Sequence, residues 1–310
     1  MNKKVRSLIN ISISILLICF IIHMIGIEKI KEQFSHMIFF LFLLALVIEN
    51  LGVAISAKKW QILFKMKEDI SFLATWKYYY IGSFFNAFLP TSIGGDAIKA
   101  YSISKEIKKK EDAFSSVIMD RITGLIAILC IGSFALILGW EKIPEIALLL
   151  SLPVLFLPIA IIIIIFKTDF IGNIISKPFF SRFGKLQNFV KKIYVSLKGY
   201  ASLQKEILIV LLISFLYHFL LIMNNYVLSL SLGLKIPLPY FFIFIPVAEI
   251  LVFLPITIQG FGVREGSYVI LFSSLATKAQ SFALGFSDQI VKVMVSIIGG
   301  IIYMLSSVKR

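Results

Sequence analysis

The chain has 310 residues, 59% of them hydrophobic, and its 31 Lys and Arg against 17 Asp and Glu give a net charge of +14. A mean hydropathy of +0.94 lies far above that of soluble globular domains and points to a polytopic membrane protein. In a soluble protein such a charge would suggest nucleic acid; here the cations fall mainly between apolar runs, so anionic lipid headgroups are the expected partner and nucleic acid is not.

Cys19 and Cys130 both sit in apolar runs, which excludes a disulfide framework and a thiolate metal site. His23, His36 and His218 are scattered without metal-ligand spacing. No phosphate-cradling loop or nucleophile elbow occurs, and the scattered Ser and Thr form no catalytic constellation with His. No catalytic residue, metal or cofactor is therefore expected.

The tail MNKKVR and the run 8–25 resemble a signal peptide, but the run is long and has no small-residue cleavage site. An uncleaved first span over 8–26 is predicted. Further apolar segments follow at 37–55, 72–90, 114–139, 146–166, 206–231, 240–258 and 264–306, the last divisible near Lys278. A full span takes about 20 apolar residues. Segment 72–90 is marginal, with Lys77 inside it, and 240–258 carries Pro246 and Glu249. Segment 264–277 is short, leaving a final span at 282–306.

Positive charge sets orientation. The N-terminal tail, stretches 56–71, 91–113 and 167–205, and the C-terminus hold 22 Lys and Arg; the stretches on the other side hold five. Both termini are thus expected in the cytoplasm. Segment 72–90 then enters and leaves from inside, whereas 240–258 and 264–277 dip in from outside. Within 167–205, Phe189, Ile193 and Leu197 fall at four-residue spacing opposite Lys191, Lys192 and Lys198. That pattern fits an amphipathic helix on the cytoplasmic lipid surface, or a solvated linker helix.

Residues 253–268 read FLPITIQGFGVREGSY, an apolar run broken at Pro255, Gly260 and Gly262 with Arg264 and Glu265 just beyond. Pro blocks helix continuation and Gly frees the backbone. Broken backbone at membrane depth survives only where protein or a water-filled cavity satisfies it. Residues 88–101, FLPTSIGGDAIKAY, repeat the pattern 165 residues earlier. Pro90 matches Pro255, Gly95 matches Gly260, and Lys99 matches Arg264. Matching broken segments in two halves mark a transporter-type binding site; chance similarity between two apolar segments is the alternative. The fold class predicted is an all-α polytopic membrane protein with an inverted-topology repeat. It has about six full spans plus two broken or re-entrant helix hairpins, from eight or nine apolar segments. One integral membrane domain, 1–310, divides into halves of about 1–140 and 141–310.

Ionisable residues inside apolar segments suggest function. Asp120 and Arg121 point about 100° apart on a helix and need different partners. Arg121 could reach Asp96, Glu265 or a headgroup phosphate. Asp288 and Lys292 can pair at i,i+4, or form a polar cavity wall. Glu249 is a candidate proton carrier or a partner for the broken backbone. Glu49, Asn50 and Lys77 read as side chains that snorkel to the interface.

Pro90 to Lys99 followed by Ala100-Tyr101, the run Asp120-Arg121-Ile122-Thr123-Gly124, and Pro255 to Glu265 together resemble the flippase-like membrane family. That family is typified by the N-terminal membrane domain of the bifunctional lysyl-phosphatidylglycerol synthase and flippase. The resemblance covers essentially the whole chain and is most specific at GFGVRE with its upstream Pro. The family pattern carries Arg where this chain has Lys99. No cytosolic aminoacyl-transferase domain fits in the 310 residues, so lysyl transfer is not expected. The resemblance implies movement of an anionic or aminoacylated lipid, or a polyprenyl-phosphate-linked sugar, between leaflets of the cell membrane. An integral membrane enzyme, or an accessory subunit acting on lipid headgroups, is the alternative. A second copy of the chain or a lipid-modifying enzyme would be its protein partner. The substrate-binding set nominated is Pro90, Gly94, Gly95, Asp96, Lys99, Asp120, Arg121, Glu249, Pro255, Gly260, Gly262, Arg264 and Glu265.

Overall fold

The computed structural model describes residues 15–16, 18–65, 69–89, 94–107, 109–139, 184–253, 257 and 259–308. The described residues form helices and connections, with no strand among them. After helical residues 18–25, the labelled helices are α1 (Ile27–Ser35), α2 (Phe39–Lys65), α3 (Phe72–Phe88), α4 (Gly94–Ile103) and α5 (Lys110–Gly139). They continue with α6 (Gly184–Lys198), α7 (Gln204–Ser231), α8 (Leu238–Phe253), α9 (Val263–Leu271) and α10 (Lys278–Val308). The predicted segment 146–166 and the N-terminal tail lie outside the described residues, as do Pro90 and Pro255.

Among the described residues four helices are long and apolar enough to cross a membrane: Phe39–Phe64, Lys110–Leu138, Gln204–Ser231 and Lys278–Ser306. At about 1.5 Å per residue, each exceeds the roughly 30 Å of a hydrocarbon core. Large apolar side chains such as Phe40, Phe134, Leu212 and Met304 remain exposed, as lipid contact requires.

Both motif stretches fall at helix breaks. Ser71 caps the start of α3 by accepting the Ala74 amide at 3.2 Å. That helix stops at Phe88, and Leu89 is extended, φ −85° and ψ 141°, as the residue before a proline prefers. The chain turns back as α4, with Gly95 packed so tightly against Gly82 and Asn86 that any Cβ would overlap the Gly82 carbonyl. The Gly95 amide donates to Asn86 Oδ1 at 2.8 Å. In the second stretch α8 ends at Phe253, and Gln259, Gly260 and Gly262 adopt positive φ of 47°, 82° and 84° before α9 begins. Glu265 closes that start, its carboxylate accepting the Gly262 amide at 2.7 Å. Each break therefore makes an antiparallel helical hairpin, α3–α4 and α8–α9.

The core is aromatic. Phe241, Phe244, Tyr268 and Phe272 join α8 to α9, with the Phe244 and Phe272 rings 5.0 Å apart. Trp60, Phe64, Met119 and Tyr200 bury the other half. The last helix, α10, serves both hairpins: Gly285 leaves room for Glu265 and Tyr268 of α9, and Gly299 lies directly against the Tyr80 carbonyl of α3.

Two expectations shift. Helix α2 does not end at 55 but runs to Lys65, so Lys59, counted as a loop cation, is buried within it, and Lys99 is buried in α4. The amphipathic segment is α6, with Lys191 and Lys192 exposed. Its apolar edge meets protein: Phe189 packs edge-on against Phe114 at 5.5 Å, Leu197 is buried, and Ser196 donates to Asp112 at 2.6 Å.

Candidate functional site

The two hairpins deliver their charged residues to one cavity of about 360 Å³ lined by α2, α3, α4, α5, α7, α8, α9 and α10. Asp96, Lys99, Asp120, Arg121, Glu249 and Arg264 all line it.

From the first hairpin, Lys99 reaches Asp120 of α5 at 3.2 Å. Its ammonium also lies 4.1 Å from the Tyr79 ring centroid and 4.6 Å from that of Trp60, a cation–π cradle. Lys59 of α2 takes the other oxygen of Asp120 at 2.8 Å. Arg121 pairs with Asp96 of α4, as one of the sequence alternatives had it, and its guanidinium stands 5.3 Å from the Phe253 ring at the end of α8. Consecutive Asp120 and Arg121 thus serve different partners, as their angular separation requires.

From the second hairpin, Arg264 donates to Glu249 and Asp288, both at 2.6 Å, and to Gln289 at 3.0 Å. Lys292 holds the same two carboxylates at 3.0 Å each. Short charge-assisted bonds of this kind are the strong ones, and burial raises the cost of losing a partner.

Of the nominated residues, Glu265 does not reach the cavity. It is fully buried and engaged at the Gly262 amide, because a carboxylate three residues inside a helix start folds back onto the unpaired amide there. Gly94, Gly95, Gly260 and Gly262 form the breaks rather than the lining. Sequence reasoning missed Lys59, Tyr79, His218 and Gln289, and it set Glu49 aside, yet Glu49, Lys59, Tyr79 and His218 line the cavity. A signal existed for Gln289: Phe114 with Asp120-Arg121-Ile122 recurs as Phe282 with Asp288-Gln289-Ile290.

A family model described as "Lysylphosphatidylglycerol synthase TM region" matches residues 7–300. The chain belongs to that family. With its apolar helices, membership makes the chain a multi-pass membrane protein that acts on lipids. A search of curated proteins finds no match to the chain.

Proposed function

We propose that this chain carries a phosphate-bearing lipid between the two leaflets of the cell membrane. The headgroup passes through the cavity between the hairpins while the acyl chains stay in the bilayer. The candidates are an anionic or aminoacylated phospholipid and a polyprenyl-phosphate-linked glycan, which share the phosphate. The observation that carries the reading is the duplicated construction of the site. Each broken hairpin brings one buried cation, Lys99 or Arg264, against an aspartate of the following helix, Asp120 or Asp288. Two equivalent half-sites in one cavity are what a carrier with inverted halves needs, so that each half can face its own leaflet.

In this reading the halves are inverted repeats, both termini are cytoplasmic, and the hairpins dip in from opposite faces. The cavity binds rather than converts the headgroup, because its cations are held in ion pairs that favour fixed charge over proton transfer. Arg121 is the cation placed to meet phosphate. Its side chain is 27% exposed, against 13% for Lys292 and 3% for Arg264, and its planar fork matches phosphate geometry.

The test is a leaflet-exposure assay in proteoliposomes over a panel of headgroup-labelled lipids. Wild type should equilibrate at least one phosphate-bearing lipid faster than protein-free vesicles, and Arg121→Gln should slow it. A wild-type rate equal to that of protein-free vesicles across the panel would overturn the reading.

A further inference from the structure

One carboxylate in the cavity has no counterpart. The five cations of the two clusters are met by four carboxylates, Asp96, Asp120, Glu249 and Asp288. Glu49 of α2 is a further acid, and it lines the cavity. Among the described residues it forms no ion pair, and its side chain is held by a 3.4 Å bond from Asn224 Nδ2 of α7. It is half-buried and faces the cavity, so it is open to a ligand. Its neighbour Asn50 is occupied elsewhere, donating to the Leu46 carbonyl at 2.8 Å and accepting from Tyr80 at 2.6 Å.

We infer that Glu49 receives the ammonium group of a zwitterionic lipid headgroup, one that pairs a single phosphate with a single ammonium. The inference rests on the carrier reading above and narrows its substrate. A carboxylate in a low-dielectric cavity is costly unless a cation meets it. Each of the five cations lies within ion-pair distance of one of the other four carboxylates and, among the described residues, none lies within that distance of Glu49, so a ligand ammonium would be its direct partner. The two clusters and Glu49 together hold five acids, Asp288 behind the lining among them, against five cations, and so balance. A zwitterionic headgroup leaves the loaded cavity neutral, with phosphate toward Arg121 and ammonium on Glu49. A purely anionic headgroup would leave a net negative charge inside the membrane. A carboxylate also discriminates by hydrogen bonding: a primary ammonium offers donors that a hydroxyl of the same size offers only singly.

Binding to the purified full chain in detergent, by displacement of a spin-labelled phospholipid, separates the possibilities. The probes share acyl chains and differ in headgroup: phosphatidylethanolamine, its N-acetyl derivative, phosphatidylglycerol, and lysyl-phosphatidylglycerol, which carries two ammonium groups. Wild type should bind phosphatidylethanolamine about tenfold or more tighter than its N-acetyl derivative, the scale of one desolvated charge pair. Glu49→Gln should erase that ratio, and Glu49→Asp should keep part of it. The aminoacylated arm shows whether an ammonium on a longer, net-cationic headgroup is accepted as well; tighter binding there than to phosphatidylethanolamine overturns the zwitterionic assignment. Equal wild-type affinity for the ethanolamine lipid and its N-acetyl form overturns the role of Glu49, and this comparison needs no variant to fold. So does a Glu49→Gln chain that weakens every lipid alike. Vesicle transport is scored separately. A chain that shows the ammonium preference but moves no lipid refutes the carrier reading alone. One that moves lipids without the preference refutes Glu49 alone.

Discussion

Arg264 of the second hairpin reaches Asp288 of α10 at 2.6 Å, as Lys99 of the first hairpin reaches Asp120 of α5 at 3.2 Å. In each half the cation sits just past a helix break and the acid lies on the helix that follows. Asp288 is fully buried and Arg264 3% exposed, so neither can turn to water if the other is removed.

Arg264→Gln should therefore destabilise the protein by about 3–5 kcal/mol, the cost of leaving buried acid without its partner. Lys292 still touches Glu249 and Asp288, which places the loss toward the lower end. Adding Asp288→Asn should restore part of the melting temperature, whereas adding Glu265→Gln should not, because Glu265 is bonded to the Gly262 amide. A melting temperature unchanged by Arg264→Gln would refute the pairing.

Asp120→Asn strands two buried lysines at once. Lys99 keeps Asp96 at 3.7 Å and the faces of Trp60 and Tyr79, but among the described residues Lys59 has Asp120 as its acid. Thermal unfolding should show a loss of several kcal/mol, and Lys59→Met in the same chain should recover more of it than Lys99→Met. The reverse order of rescue would contradict the geometry.

Two glycines of the helices should respond oppositely to alanine. A Cβ at Gly266 meets only Ile21, at 3.5 Å, so Gly266→Ala should gain up to about 1 kcal/mol from helix propensity. A Cβ at Gly299 would collide with the Tyr80 carbonyl, and Gly299→Ala should cost about 1–3 kcal/mol as α10 is pushed off α3. Melting temperatures that move in the same direction for both would rule out this helix contact.

Lys191 of α6 and Lys235 after α7 are both exposed and flank a helix of 28 residues, about 42 Å long. In intact vesicles, an impermeant thiol reagent should label cysteine at one of these positions and not at the other. Inside-out vesicles should reverse the pattern. Labelling of both from one face would mean that α7 does not cross. The charge bias expects position 191 inside, and that bias survives taking Lys59 and Lys99 out of the count.

The breaks were legible because Pro and Gly act locally. Leu89 extends before Pro90, and three consecutive-region residues with positive φ end in Gly262, whatever else the fold does. The pairing of Asp288 with Lys292 was legible for the same reason, being one helical turn apart. The partners of Arg264 were legible only in part. Glu265 or Glu249 was expected to neutralise it; Glu249 does, but Glu265 bends to its own helix start, and Asp288 of α10 is the second partner. Lys59 was read as a loop cation because a lysine-rich stretch looks solvated when its distant acid, Asp120, is unknown. Glu49 was dismissed because a lone acid in an apolar run gives no hint of which way it points.

Helix α10 meets the second hairpin at Gly285 and the first at Gly299, about 21 Å further along the same rod. A continuous helix resists torsion between those points, so neither hairpin can rotate about it without loading the other. The two half-sites are geared together by a shaft common to both, and inserting a flexible glycine pair between the two crossings should let them slip independently.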